Sequence, residues 1–316
     1  MKILFNVIGS NLGNNGGSET CVKSANELHS LGHKITIIAD GKNKYTWDDL
    51  KCEHLIINNE NKIPNADAIV SISFRSMDST ERCKIKNKFV WIRGYEKWSI
   101  PEEKIIKILK ETKCKKLVNS ICLQNKLNSF NLKSKIIRPG YDFDKIYPID
   151  IRKNNKEIVI GGLFNSGNKR KTKRTEWVFE TYNCLRDKYN IKLIMFGSDG
   201  KPKIDNYYKN PNIELKNKIY NTIDIWLSPS ELEGLHIPPA EALLTRCSVI
   251  TTNAEMSGTQ DYIFHKKTGI VSNNNLKDFI KCTEKLILNE EFRIKLGTKG
   301  RDIILSLGDR KENMNK

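Results

Sequence analysis

Ser228-Pro229-Ser230-Glu231-Leu232-Glu233-Gly234-Leu235-His236-Ile237-Pro238-Pro239-Ala240-Glu241-Ala242 is the stretch on which the reading of this chain turns. The residues ahead of it, 224–228, read as a short buried strand, and Gly234 reads as a turn. Pro238-Pro239 marks the opening of a helix, because proline is tolerated in a first turn whose N–H groups have no partner anyway. That start puts Glu241 in the first turn. The amides around 234–237 then lie beside a helix N-terminus, where an anion is favoured. Glu233 and Glu241 remain to accept hydrogen bonds from hydroxyls. Phosphate together with sugar hydroxyls is what a nucleotide sugar presents. Two ordinary surface glutamates flanking a capped helix would share this spacing, so it does not decide the matter alone.

Working outward, strand and helix alternate twice. Residues 3–8 form a nearly continuous apolar run ending at Gly9, as a buried parallel strand does. The loop 9–17 follows, then a helix with Ser18 as its expected N-cap, Val22, Ala25, Leu28 and Leu31 on one face, and Gly32 as its stop. A strand at 35–39 completes a βαβ unit. Further strands are expected at 54–57, 68–72, 89–92, 116–119 and 135–138, with a helix at 102–112. The alternation restarts near Glu157, with strands at 158–161, 191–196, 212–215, 224–228, 248–251 and 269–272 and a helix at 175–188. Residues 139–148 carry turn residues and two prolines and read as a linker. The expectation is two doubly wound α/β domains, 1–148 and 149–307, facing a central cleft, with 308–316 as a frayed tail.

Composition narrows the class. The chain has 316 residues, 38% hydrophobic and 29% charged, a balance that excludes a disordered chain, a collagen or a membrane bundle. No apolar run reaches the roughly 18 residues of a spanning helix, and Met1-Lys2-Ile3-Leu4-Phe5 is short for a signal peptide, so a cytoplasmic location is expected. Lys and Arg number 54 against 37 Asp and Glu, which gives +17. Such a field attracts nucleic acid, acidic membrane surfaces or phosphorylated small molecules. Most of that charge is spread over loops and helix faces, and only Lys169-Arg170-Lys171-Thr172-Lys173-Arg174 is dense enough to suggest a site. The cysteines, Cys21, Cys52, Cys83, Cys114, Cys122, Cys184, Cys247 and Cys282, contain no C-x-x-C pair and read as reduced thiols rather than a disulfide framework or zinc site.

The loop Gly9-Ser10-Asn11-Leu12-Gly13-Asn14-Asn15-Gly16-Gly17 joins a strand to a helix, where glycines let amides approach a phosphate. It is neither G-x-G-x-x-G nor a Walker A loop.

These segments together resemble glycosyltransferase family 4. The Pro-Ser-x-x-Glu-Gly-x-x-x-Pro-x-x-Glu-Ala block is similar to that family's signature. Gly16-Gly17-Ser18-Glu19, Gly32-His33-Lys34-Ile35, Pro139-Gly140-Tyr141-Asp142 and Thr268-Gly269-Ile270-Val271 are similar to its weaker landmarks. The resemblance implies a GT-B fold, two Rossmann-like domains with the acceptor side first and the donor side second, and a retaining, metal-independent transfer from a nucleoside-diphosphate sugar. It implies that Glu241 binds the donor ribose and Glu233 the hydroxyls of the transferred sugar. The amides of Gly234, Leu235 and His236, with the loop at Gly16 and Gly17, would hold the diphosphate, and Lys173 and Arg170 would match the family's paired cations there. No cofactor is implied. The acceptor, a glycan, lipid or protein, is not legible, and peripheral contact with an acidic membrane is compatible. Arg93 stands where the family often has a histidine; always protonated, it would bind a phosphate or an acidic acceptor group rather than act as a base. Asp261 is the counterpart of a late family glutamate.

Two other readings compete. Asp40, at the end of the second strand, sits where an NAD(P)-dependent oxidoreductase keeps its ribose partner, but the glycine fingerprint is missing. A non-catalytic binder of nucleic acid or membrane would use the +17, but no basic amphipathic helix or aromatic-basic motif supports specific nucleic-acid recognition.

Overall fold

The computed structural model describes residues 1–58, 62–150, 157–166 and 168–316, the side chains of 168–170 excepted. The chain forms two compact units: Met1–Gly140 together with Asp309–Lys316, and Tyr141–Gly308.

Among the described residues of the first unit seven strands, β1 Lys2–Asn6, β2 Lys34–Ala39, β3 Glu53–Ile56, β4 Ala68–Ser71, β5 Asn87–Ile92, β6 Lys115–Val118 and β7 Lys135–Ile136, pair in the order β3-β2-β1-β4-β5-β6-β7. Every pairing is parallel. The central strands are buried, with Phe5, Ile35, Ile37 and Trp91 packed against Cys21, Val22 and Ala25 of helix α1, Gly16–Ser30. That is why β1 and β2 read as unbroken apolar runs. The chain departs from β1 toward β2 and β3, then returns to place β4 on the opposite side. This reversal opens a crevice beyond the carboxyl ends of β1 and β4.

The second unit repeats the plan with six strands among its described residues: β8 Ile158–Leu163, β9 Ile191–Gly197, β10 Tyr207–Lys209, β11 Ile225–Ser228, β12 Ser248–Thr252 and β13 Ile270–Ser272. Their order is β10-β9-β8-β11-β12-β13, so the reversal falls between β8 and β11. After α2 Met77–Arg82, α3 Glu102–Glu111 and α4 Ile121–Asn128 of the first unit, helix α5, Thr175–Leu185, follows β8; α6, Ile213–Thr222, precedes β11; and α7, Ile237–Leu244, follows it. Phe196, Tyr220 and Trp226, from β9, α6 and β11, meet edge-to-face or tilted at 5.2–5.6 Å between ring centroids. Each such pair adds about 0.5–1.5 kcal/mol beyond its area burial, and the cluster fixes the Tyr220 ring. Both doubly wound sheets expected from the sequence are present.

Several local expectations are corrected. Asn15, not Ser18, caps α1: its side chain accepts from the Ser18 amide at 2.9 Å, so Gly16 and Gly17 belong to the helix. Residues 212–215 are not a strand. The Asn212 side chain accepts from the Leu215 amide and starts α6, while the unforeseen strand is the three-residue edge β10. The linker 139–148 divides, because Tyr141 and Ile146 are buried in the core of the second unit. The tail 308–316 is not frayed. Asp309 and Glu312 form a capping box for helix α8, Arg310–Met314, which packs against α1 of the first unit. Among the described residues no helix is long and apolar enough to cross a membrane.

Candidate functional site

The loops that follow β8 and β11 flank the reversal of the second sheet, and they carry the residues singled out above. A 3₁₀ turn, Asn168–Lys173, leaves β8 and is stitched to the other loop by the Glu231 amide, which donates to the Thr172 carbonyl at 2.8 Å. Lys173 Nζ then reaches Glu233 Oε1 at 2.5 Å. Arg174 pairs with Glu231 at 3.0 Å and lies 4.5 Å over the Trp177 ring. The structure therefore brings Lys173 and Glu233 together, 60 residues apart in sequence. The side chain of Arg170 lies outside the described residues.

Glu233 is buried, and three neighbours hold it. Burial by itself pushes its carboxyl up; His236, Lys173 and a hydrogen bond from Ser230 outweigh this and hold it below the usual carboxylate range. His236 is pushed the other way, from 6.5 down to about 4, by burial first, with Glu233 opposing and Lys173 reinforcing the shift. At neutral pH the imidazole is uncharged, and Lys173 is the countercharge of Glu233. The network also fixes the tautomer. His236 Nε2 lies 3.3 Å from Glu233 Oε1, and a carboxylate only accepts, so Nε2 carries the proton and Nδ1 accepts from Ser228 Oγ at 3.1 Å.

These directions set a pH dependence. Below pH 6.5 the unfolded histidine binds a proton that the folded one refuses, so stability is lost as pH falls from about 6.5 toward about 4. Glu233, whose folded value is depressed, contributes stability above its unfolded value and loses it on further acidification. Melting temperatures measured between these limits should fall with pH, and the fall should be shallower for His236→Asn. Parallel profiles for parent and variant would refute the assignment.

A second loop, 256–262, closes over this cluster. The Glu233 amide donates to Met256 O at 2.7 Å and the His236 amide to Gly258 O at 3.0 Å. Tyr262 donates its hydroxyl to the His236 carbonyl. The His236 amide, expected to face a diphosphate, is thus engaged by Gly258 in this structure. Gly258 has φ +73°, and a Cβ there would lie 2.6 Å from Glu233 Cβ. Asp261, in the same loop, is buried.

Helix α7 starts at Ile237, and its N-cap, His236, supplies no side-chain cap. Glu241 is consequently its fifth residue, just past the first turn in which it was expected. It is buried, with Lys216 Nζ 3.0 Å from Oε1 and the Tyr220 hydroxyl 2.8 Å from Oε2. Lys216 and Tyr220 are an i,i+4 pair on α6, a signal hidden by reading the start of that helix as a strand. Behind α7, Arg301 donates to the Leu244 carbonyl at 3.1 Å, placing a cation at the helix's negative end.

The remaining expected residues lie in the first unit. Gly16 and Gly17 are the first two residues of α1, and the Arg93 guanidinium donates to the Gly17 carbonyl and, at 3.0 Å, to that of Ile72. Asp40 accepts from the Gly9 amide at 3.0 Å and so shapes the glycine-rich loop. Among the described residues no three His, Cys, Asp or Glu side chains converge as metal ligands.

The family model described as Glycosyl transferases group 1 matches residues 158–289. The chain is 28% identical over 219 residues to the capsular polysaccharide biosynthesis glycosyltransferase CapM of Staphylococcus aureus, covering 62% of this chain and 55% of that protein. It is 25% identical over 162 residues to an uncharacterized glycosyltransferase of Haemophilus influenzae, covering 46% and 44%. The chain thus spans about half the length of the curated relatives it matches. In fold it is similar to Anabaena HepE, solved with UDP-glucose, at a TM-score of 0.78 and 11% identity over 100% of this chain and 97% of the other. A glycosyltransferase from Rickettsia africae aligns with a TM-score of 0.73 and 18% identity over 99% and 95%. Residues 158–289 are thus similar to group 1 glycosyl transferases, and the chain shares the GT-B fold of these structural neighbours.

Proposed function

We propose that the chain transfers a glycosyl group from a nucleoside-diphosphate sugar to a glycan, lipid or protein acceptor with retention of anomeric configuration. The observation that supports it most is the Lys173–Glu233 pair beside the N-terminus of α7, which no side chain caps. When the bond between anomeric carbon and diphosphate oxygen breaks, negative charge grows on the leaving group. Fixed cations and amides aimed there stabilise the transition state more than the ground state. Lys173, the α7 N-terminus and the amides of Gly234 and Leu235 supply that field, with Arg170 as a second cation. Glu233, oriented by His236, accepts from the hydroxyls of the transferred sugar. Glu241, oriented by Lys216 and Tyr220, accepts from the ribose. With the charge met by these groups, transfer is expected to persist in the presence of a chelator. The acceptor is bound by the first unit, and the reaction takes place in the cytoplasm, with peripheral contact to an acidic membrane compatible with the charge.

Thermal-shift titration with UDP, GDP, ADP and their sugar conjugates tests the donor. A ligand at a hundred times its Kd stabilises the folded state by about 2.7 kcal/mol. Glu241→Ala should weaken that response about tenfold or more, as expected when a buried acceptor of hydroxyls is lost. Glu233→Ala should reduce turnover on the order of a hundredfold while leaving nucleotide binding largely intact. If both variants transfer sugar like the parent, the assignment fails.

A further inference from the structure

Two bases meet on a single oxygen of Glu233. Lys173 Nζ lies 2.5 Å from Oε1 and His236 Nε2 lies 3.3 Å from the same atom. The three side chains are unequally covered: His236 is 5% exposed and Glu233 11%, against 22% for Lys173. An arriving anion therefore meets the lysine first. The histidine is held where it is. Its amide donates to Gly258 O, its carbonyl accepts from the Tyr262 hydroxyl, and Nδ1 faces Ser228 Oγ at 3.1 Å.

Three things keep the ring neutral. Burial is the largest, and the positive charge of Lys173 adds to it, with Glu233 opposing both. The third is position, because His236 is the N-cap of α7 and so sits at the positive end of that helix. Among the described residues, Glu233 and Lys173 are the charged groups that act on the ring. The 256–262 loop faces the residue through the Gly258 carbonyl and the Tyr262 hydroxyl, and β11 faces it through the Ser228 hydroxyl. A diphosphate set against Lys173 and the α7 N-terminus offsets two of the three. The carboxylate and the diphosphate then compete for one ammonium, and a buried carboxylate deprived of its cation is strongly destabilised. A proton on the adjoining imidazole relieves both. Deleting Lys173 does not have this effect: burial and the helix end remain, and no second anion arrives.

We propose that His236 is a second countercharge for Glu233, taken into use when the donor diphosphate draws on Lys173, so that donor binding carries a proton from solvent to His236 Nδ1. Nε2 keeps the proton it already donates to Glu233. Nδ1 gains one from water or a buffer acid, and the Ser228 hydroxyl turns from donor to acceptor, which a hydroxyl does without moving its oxygen. The imidazolium then holds Glu233 in place for the hydroxyls of the transferred sugar while Lys173 faces the leaving group. His236 is a positioning residue that acts through Glu233, and its role rests on the transferase reading above, since the diphosphate is the donor's.

Isothermal titration calorimetry of the full chain tests it, with UDP-glucose, GDP-mannose and ADP-glucose as probes, near the ordinary histidine value of 6.5. The diphosphate diesters of these probes do not titrate in that range, so any proton counted belongs to the protein. Binding heats in cacodylate, MES and imidazole, which differ in ionisation enthalpy, give the uptake. The probe that binds should bring in about half to one proton, and its affinity should rise by up to about tenfold for each unit of falling pH, because the complex holds a proton that the free protein refuses. His236→Asn should bind without uptake and without that pH dependence. Ser228→Ala, a smaller change that keeps the ring, should lower the uptake, since a charged ring loses more than a neutral one when its hydrogen-bond partner goes. Histidine 15N spectra of the parent locate the proton with no variant: on donor addition the His236 signals should pass from the neutral to the imidazolium pattern. Equal heats in all three buffers, an unchanged His236 spectrum, or uptake that persists in His236→Asn and so belongs to Glu233, overturns the inference and leaves the donor reading standing. Failure of all three probes to bind overturns that reading, and this inference with it.

Discussion

Lys173→Ala is expected to destabilise the second unit by about 3–5 kcal/mol, because it leaves the Glu233 carboxylate buried without its countercharge. The side chains of Glu233 and Lys173 are only 11% and 22% exposed, so solvent does little to replace the lost cation. His236 cannot substitute at neutral pH, since burial keeps it uncharged. The cost should therefore be reversible by a second change. In Lys173→Ala/Glu233→Gln the orphaned charge is gone, and most of the lost stability should return. Urea melts of parent, both single variants and the double variant give the coupling energy directly. Additive effects of the two changes would show that the pair is not coupled, and that Lys173 is held at the site by something other than Glu233. The same variants separate structure from chemistry: the double variant, restored in stability, should still fail to transfer sugar.

Gly258→Ala should be nearly as damaging for a steric reason. At φ +73° a side chain costs about 1–2 kcal/mol in backbone strain. The new methyl would also sit 2.6 Å from Glu233 Cβ and 3.1 Å from both the Gly234 carbonyl and the His236 amide. Overpacking of this kind adds about 1–3 kcal/mol. None of the three neighbours is the far end of a flexible side chain, so the loop must move. That movement breaks the bond from the His236 amide to Gly258 O and shifts the Gly234 backbone proposed to hold the diphosphate. The expected result is a folded but less stable protein whose melting temperature no longer responds to nucleotide. A variant that keeps the parent's nucleotide response would mean the 256–262 loop does not set the geometry of the site.

The doubly wound plan was legible because parallel strands buried on both faces, such as β2 and β11, read as unbroken apolar runs. Lys173 and Glu233 were legible as types, a cation in a dense basic run and a carboxylate beside a turn. Their meeting follows from topology, since the loops after β8 and β11 face each other across the sheet reversal. What escaped was tertiary. Nothing in 212–215 distinguishes a short apolar strand from a helix start except the Asn212 cap, and without α6 the Lys216–Tyr220 support for Glu241 has no periodicity to reveal it. The neutrality of His236 depends on burial by the 256–262 loop, some twenty residues further along the chain. Gly258 looked like one glycine among many; only the approach of Glu233 gives it a role.

The capped helix at Arg310–Met314 bears on how the chain is assembled. Met314 reaches the apolar layer beneath α1, and a Cβ on Gly140 would lie 2.3 Å from the Asp309 carbonyl, so the returning segment fits closely against the point where the first unit ends. Domains generally fold in the order in which they leave the ribosome. Here the N-terminal body emerges early but must wait, with part of its surface uncovered, until the whole of the second has been translated.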